Sequence, residues 1–204
     1  MKLILATKNS EKIQEIQKVL GDLAIDIIPM TEAGFTEDIV EDGKTFEENA
    51  LIKARTVSNF THEWVLADDA GVMIPALNNE PGVHSKTFAG EGATADDTAK
   101  YVLERMKDIP AGKRQIVGES VVVLMHPSGS YRVFRGENRG VVPMQAAPTQ
   151  NVKNGNLYYG VFVPEGFTKT YAELSHDEKM NGGFRYEALQ KVHAFLKNEV
   201  MKGD

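Results

Sequence analysis

The 204-residue sequence has no cysteine, which excludes a disulfide framework, a thiolate zinc site and a cysteine nucleophile. It also lacks any basic excess, because 23 Lys and Arg stand against 29 Asp and Glu for a formal charge of −6. Coating a nucleic-acid polymer needs the opposite balance, so any phosphate bound here is held locally. No apolar run approaches the ~18 residues of a membrane-spanning helix, and the apolar start at residues 1–6 is too short for a signal-peptide core. The expectation is a cytoplasmic protein whose partners include neither a nucleic-acid polymer nor a membrane. No linker-like stretch, repeat or low-complexity tract interrupts the chain, so residues 1–204 are expected to form one domain. With 42% hydrophobic and 25% charged residues, the composition suffices for an ordinary globular core.

What is present is an alternation of short apolar runs and helical stripes. Residues 3–6 read as a buried strand, followed by a loop over 7–10 and a helix carrying Ile13, Ile16, Val19 and Leu20. A second run, 25–28, precedes the loop Glu41-Asp42-Gly43-Lys44. Thr45 then opens a helix, with Glu48 at the capping-box spacing, that runs to about residue 59. The strand 64–67 ends at Asp68-Asp69-Ala70-Gly71, and Thr94 with Asp97 starts a third helix that stops before Pro110. Runs 121–125 and 131–134 flank a hairpin turn. Residues 139–144 and 157–163 look like further strands, and Tyr186, Leu189, His193, Leu196 and Val200 mark a closing amphipathic helix. The pattern predicts an α/β fold with a mixed sheet.

Three places could carry chemistry. Lys12 lies in the first turn of the first helix, where the macrodipole disfavours a cation unless an anion is also present. Thr7, Asn9 and Ser10, with the free N–H groups there, could make that anion site, or Asn9 or Ser10 could simply cap the helix beside a solvated lysine. On the second helix, at about 100° per residue, Lys53 falls within the apolar arc of Phe46, Ala50, Ala54 and Val57, with Asn49 at its edge. Its ammonium either snorkels to water or meets a carboxylate or phosphate. Asp68 and Asp69 form an acidic pair that is either a solvated turn or, with Glu41, a set of oxygen ligands for Mg²⁺. The histidines His62, His84, His126, His176 and His193 show no ligand spacing and read as structural. Tyr158-Tyr159 reads more readily as strand packing than as a base-stacking platform.

Four segments in order, Ala6-Thr7-Lys8-Asn9-Ser10-Glu11-Lys12, the run from Glu41 to Ala54, Ala67-Asp68-Asp69-Ala70-Gly71 and Pro81-Gly82-Val83-His84-Ser85, resemble the inosine triphosphate pyrophosphatase family. The resemblance covers nearly the whole chain. It implies an elongated α/β fold around a long central mixed sheet, two lobes with the active-site cleft between them, a homodimer and Mg²⁺ dependence. The implied reaction converts a nucleoside triphosphate, a non-standard purine such as ITP, dITP or XTP, to its monophosphate and pyrophosphate by water attack at the α-phosphorus. By position, Thr7, Lys8, Asn9, Ser10 and Lys12 would meet phosphates, with Asn49 and Ala70 beside them. Lys53 would be the catalytic lysine of the cleft, Glu41, Asp68 and Asp69 the metal ligands, and Asp69 the general base.

The family's Gly-Phe-Gly-Tyr-Asp-Pro stretch is replaced by Gly155-Asn156-Leu157-Tyr158-Tyr159-Gly160, and its Ser-His-Arg by Gly183-Phe184-Arg185. Ala70 also stands where the family has serine. Lys179 and Arg185 keep their implied substrate-binding roles, and Asn156, Tyr158, Tyr159 and Phe184 become the candidates for a remodelled base pocket. Two alternatives follow: the same chemistry on a different base, or a nucleotide-binding sensor with little turnover. The Maf-type nucleotide pyrophosphatases share the reaction, but their Ser-x-Ser-Pro-Arg-Arg-like opening is not matched here.

Overall fold

The computed structural model describes residues 1–150, 156–175, 178–179 and 183–200, without the side chains of 199 and 200. Gly155 and His176 lie outside the described residues. The chain folds into two compact units, one of Met1–Ala70, Ser120–Gly136 and Phe184–Asp204, the other of Gly71–Glu119 and Glu137–Gly183.

In the first unit, β1 (Lys2–Leu5) lies between β2 (Asp26–Pro29) and the start of β3 (Trp64–Ile74) and is parallel to both. A parallel strand is covered on both faces, so it reads as an unbroken apolar run rather than an alternation. The pleat sorts that run. Leu3, Leu5 and Leu66 enter one core with α1 (Ser10–Leu20) and α4 (Phe184–Phe195), through Ile16, Leu20, Leu189 and Val192. Ile4, Ala6, Val65 and Ala67 enter another with α2 (Phe46–Thr61), through Ala50, Ala54 and Val57. Thr45 caps α2, its hydroxyl accepting from the N–H of Glu48, while Glu48 accepts from the N–H of Lys44.

The second unit contains the rest of β3, β4 (Glu80–Pro81), α3 (Ala95–Arg105) and β7 (Val163–Pro164). Its core holds Val72, Ile74, Val102, Met106, Ile116, Tyr158, Val161 and Phe162. A complete capping box of Thr94 and Asp97 starts α3. Beyond its other end the buried Arg114 guanidinium donates to the carbonyls of Met106, Ile109, Val142 and Pro143. A cation suits the negative end of a helix.

The strand order is β2-β1-β3-β5-β6-β7, with β4 also on β3. β3–β4 and β6–β7 are antiparallel, so the sheet is mixed, as the alternation predicted. β5 (Gln115–Met125) and β6 (Tyr131–Val141) are neighbours joined by the expected turn, where His126 N–H donates to Ser130 O and Gly129 sits at φ +87°.

Three expectations need correction. β3 does not end at residue 67. It continues to Ile74 because the charges of Asp68 and Asp69, which look like punctuation, are neutralised within the fold. Of the strand expected at 139–144, residues 139–141 are the end of β6 and 142–144 lie outside any strand. Residues 157–163 form a 3₁₀ turn, Tyr159–Val161, leading into β7. Tyr158, Val161 and Phe162 all face the core, and their i, i+3, i+4 spacing is helical rather than alternating. The closing helix forms as expected and carries His193, whose Nε2 is 2.8 Å from Asp22 Oδ1 just past the end of α1.

Candidate active site

The loop from β1 into α1 is fixed by its own side chains. Thr7 Oγ1 accepts from Asn9 N–H, and Asn9 Oδ1 caps α1 by accepting from Glu11 N–H (2.9 Å) and Lys12 N–H (3.3 Å). Asn9 therefore does the capping, with Ser10 the first helical residue. Lys8 Nζ donates to Thr36 O (2.8 Å) and Asp38 Oδ1 (2.7 Å), tying this loop to the segment after β2. Lys12 is not solvated: its Nζ lies 3.0 Å from Asp68 Oδ2, which supplies the anion that the first turn calls for.

Asp68 and Asp69 are consecutive in a strand, so their side chains leave opposite faces of the sheet. The acidic pair is therefore not two like charges in contact. Asp68 shares the face of Leu66, towards α1 and α4, and its side chain is 1% exposed. Its Oδ2 accepts from both Lys12 and Arg185 Nε (3.0 Å), while Arg185 Nη1 donates to Glu15 Oε2 (2.7 Å). Burial alone would raise the Asp68 carboxyl, but Lys12, Arg185 and Lys53 outweigh it and hold the group well below the ordinary carboxylate range. Arg185 is pushed upward although burial opposes this, because Asp68 and Glu15 both favour its charge. For Lys12 the balance reverses: burial lowers its ammonium, Asp68 offsets only part, and Arg185 and Lys53 add to the lowering. Asp68 Oδ1 is buried without a hydrogen-bond partner.

Asp69 shares the face of Ala67, towards α2. Its Oδ2 accepts from Asn49 Nδ2 (3.1 Å), and Lys53 Nζ lies 3.5 Å from its Oδ1. The same ammonium donates to Glu41 Oε2 at 2.5 Å. Of the two readings of Lys53, the second holds: the lysine is 7% exposed and meets carboxylates. Burial would lower it, but Asp69, Asp68 and Glu41 together raise it. For Asp69 itself, burial outweighs Lys53 and the Asn49 hydrogen bond, and Glu41 adds to the effect, so its carboxyl is raised. Asp68 is not the cause of that shift, because the strand pleat turns it to the other face; desolvation is.

The first unit thus brings together Lys12, Glu41, Asn49, Lys53, Asp68, Asp69 and Arg185. Ala70 follows on the strand, half-buried, and Phe184 opens α4, half-buried. Sequence reasoning missed Glu15, which anchors Arg185. The available signal was its position three residues after Lys12, on the same face of α1.

The remaining candidates group in the second unit. Tyr158 is a core residue, 7% exposed, with its hydroxyl donating to Ser85 O (2.8 Å). Burial pushes that hydroxyl well above its ordinary range. This placement does not fit a base-stacking role. Tyr159 stacks on Tyr171, with centroids 5.1 Å apart, and carries Lys179 Nζ 5.5 Å from its ring centroid. Asn156 is half-buried at the start of the 3₁₀ turn.

A mixed α/β sheet bearing buried carboxylates interleaved with cations is the equipment of a protein that handles a polyanionic small molecule. The chain belongs to the Ham1 family, whose model matches residues 3–195, in agreement with the four motifs. A dITP/XTP pyrophosphatase of Leuconostoc mesenteroides is 36% identical over 208 aligned positions, covering 98% of this chain and all of that protein. One from Thermoanaerobacter pseudethanolicus is 36% identical over 202 positions, covering 99% and 98%. Among solved structures, a HAM1 protein from Coxiella burnetii matches with a TM-score of 0.88 at 35% identity, over 97% of this chain and 98% of that one.

Proposed function

We infer that this protein is a nucleoside triphosphate pyrophosphatase that hydrolyses non-standard purine nucleotides such as dITP, XTP and ITP to the monophosphate and pyrophosphate. Relatives bearing the dITP/XTP pyrophosphatase name align with it along almost their entire length. The observation that carries the mechanism is the contrast between two neighbouring carboxylates on opposite faces of β3, Asp68 gripped by Lys12 and Arg185 and Asp69 held by one amide and a more distant ammonium, with burial raising the second. Such a pair defines the assignments: the raised group takes the proton, the locked group supplies fixed charge.

In this reading Asp69 accepts a proton from the water that attacks the α-phosphorus, as the bond to the β-phosphate oxygen breaks and pyrophosphate leaves. Lys12 and Lys53 neutralise phosphate charge that would otherwise repel the nucleophile. Asn9, Thr7, Ser10 and Lys8 shape the loop at the N-terminus of α1, the positive end of the helix dipole, which favours anions. Arg185 and Lys179 are the further cations for substrate.

Mg²⁺ fits the residues present. Among the described residues no group of three or more His, Cys, Asp or Glu is gathered to hold a metal on its own, but Mg²⁺ commonly takes one or two carboxylates and completes its shell with substrate phosphates and water. Glu41 and Asp69, which share Lys53 on the α2 side of β3, are the hard donors for it, and Asp68, on the opposite face and bound by Lys12 and Arg185, would act by its charge. When bound, the ion would offset triphosphate charge and polarise the reacting phosphoryl group.

For the base, Tyr158 drops out of the stacking candidates, leaving Phe184 and Tyr159. A homodimer and a cytoplasmic address belong to the same proposal. No helix among the described residues is long and apolar enough to cross a membrane. Light scattering after gel filtration tests the dimer. The deciding assay follows monophosphate and pyrophosphate from dITP, XTP, ITP and the standard nucleotides with Mg²⁺. Selective release from the non-standard purines is expected; orthophosphate as the product, or tight binding without turnover, would overturn the reading.

A further inference from the structure

We propose that Asn49 is a positioning residue, whose single carboxamide holds the Asp69 carboxylate and the 41–44 loop in a fixed mutual geometry. This replaces the substrate contact expected from the sequence, and it rests on the reading of Asp69 as the general base.

Asn49 sits in the first turns of α2, 4% exposed, and both ends of its amide are engaged within the protein. Its Oδ1 accepts from Gly43 N–H at 2.8 Å and its Nδ2 donates to Asp69 Oδ2 at 3.1 Å. The orientation of the amide follows from chemistry, since a backbone N–H can only donate and an ionised carboxylate can only accept. The oxygen must face Gly43, so the NH₂ must face Asp69. A second path joins the same partners: Asp69 Oδ1 to Lys53 Nζ at 3.5 Å, and Lys53 to Glu41 Oε2 at 2.5 Å. Because Glu41 and Gly43 are two residues apart, the two paths close a ring. The loop that presents Glu41 and the carboxylate that takes the proton are held by the same two side chains.

Gly43 supplies an independent indication that the join is tight. A Cβ there would lie 2.7 Å from Asn49 Oδ1, 2.7 Å from Glu48 Cβ and 2.9 Å from Asn49 N. Real Cβ atoms are not found so close, so the loop approaches α2 as near as a glycine permits, and the amide fills the remaining gap.

The test compares wild type, Asn49→Ala, Asn49→Asp, Asp69→Asn and the two double variants, reading kcat, KM and thermal midpoint. Orienting partners of catalytic and metal-site groups are typically worth on the order of 10–100-fold. Asn49→Ala should lower kcat by about that factor, with KM unchanged, and should lower it no further in the Asp69→Asn background. Asn49→Asp places a second carboxylate against Asp69 and should be worse than alanine. Combining it with Asp69→Asn swaps donor and acceptor while keeping an oxygen for Gly43 N–H, and should return the thermal midpoint close to wild type. The proposal is overturned if the loss appears in KM, as for a substrate contact, if Asn49→Ala costs as much in the Asp69→Asn background as in wild type, or if the swapped pair is no more stable than the single changes predict. Full turnover by Asp69→Asn would instead overturn the base assignment, and recovery of the thermal midpoint by the swapped pair would still judge the Asn49 contact.

Discussion

Asp68 and Asp69 are the same residue type, adjacent on one strand, yet the two faces of β3 give them opposite properties. On the side of α1 and α4, Lys12 and Arg185 both donate to one oxygen of Asp68 and fix its charge. On the side of α2, one lysine at 3.5 Å and one amide do not make up for the water that Asp69 has lost, and its carboxyl rises. Role is set here by the face of the sheet rather than by the motif: two coupled acids would share one task, whereas two separated ones can divide it.

Several changes would break or sharpen that division, and the largest concerns turnover. Asp69→Asn should lower kcat by about 10²–10⁴-fold, the usual worth of a general base; pyrophosphate release at saturating substrate measures it. Gly43→Ala comes next, because its Cβ has no space. Overpacking a close-packed join costs about 1–3 kcal/mol, and denaturant midpoints should show a loss of that size. Acidification should act through Asp68. A carboxylate held below its ordinary 3.8 in the folded state stabilises the protein fully above that value and loses the contribution as pH falls towards the folded pKa. Wild type should therefore lose stability below about pH 4, with a shallower decline in Asp68→Asn, followed by denaturant titration at each pH. The smallest effect belongs to the second unit. Tyr158→Phe removes one buried hydroxyl from Ser85 O and should cost about 1 kcal/mol, leaving KM for XTP unchanged in the pyrophosphate assay.

Much of this was legible in the sequence. Periodicity located α1, α2, α3, the β5–β6 hairpin and the closing helix, because each stripe matches a buried face. The anomaly of Lys53 on an apolar arc was visible from the helical angle alone, and its resolution by Glu41 and Asp69 needed only the fold. The acidic pair was misread because a strand carrying two charges is normally a strand ending. Only the long-range arrival of Lys12, Arg185, Asn49 and Lys53 makes it tolerable inside a sheet, and no local pattern encodes that arrival. Residues 157–163 failed for a different reason: a short apolar run fits a strand or a turn, and the 158, 161, 162 spacing decides only once the core is known. Glu15 escaped because an acid on an amphipathic helix looks like solvated surface until its partner from α4 is placed.

The most direct test is to measure the unfolding free energy of Asp68→Asn and Asp69→Asn at pH 7 in the same denaturant series. Asp68→Asn leaves Lys12 and Arg185 without their shared carboxylate and should be destabilised by about 3 kcal/mol, the low end for a broken buried pair because both cations keep some water. Asp69→Asn leaves Lys53 its closer partner Glu41 and leaves Asn49 an acceptor, so it should cost clearly less than Asp68→Asn. A loss confined mainly to Asp68→Asn is the result expected if the two faces of β3 divide the work; equal losses in the two variants would contradict it.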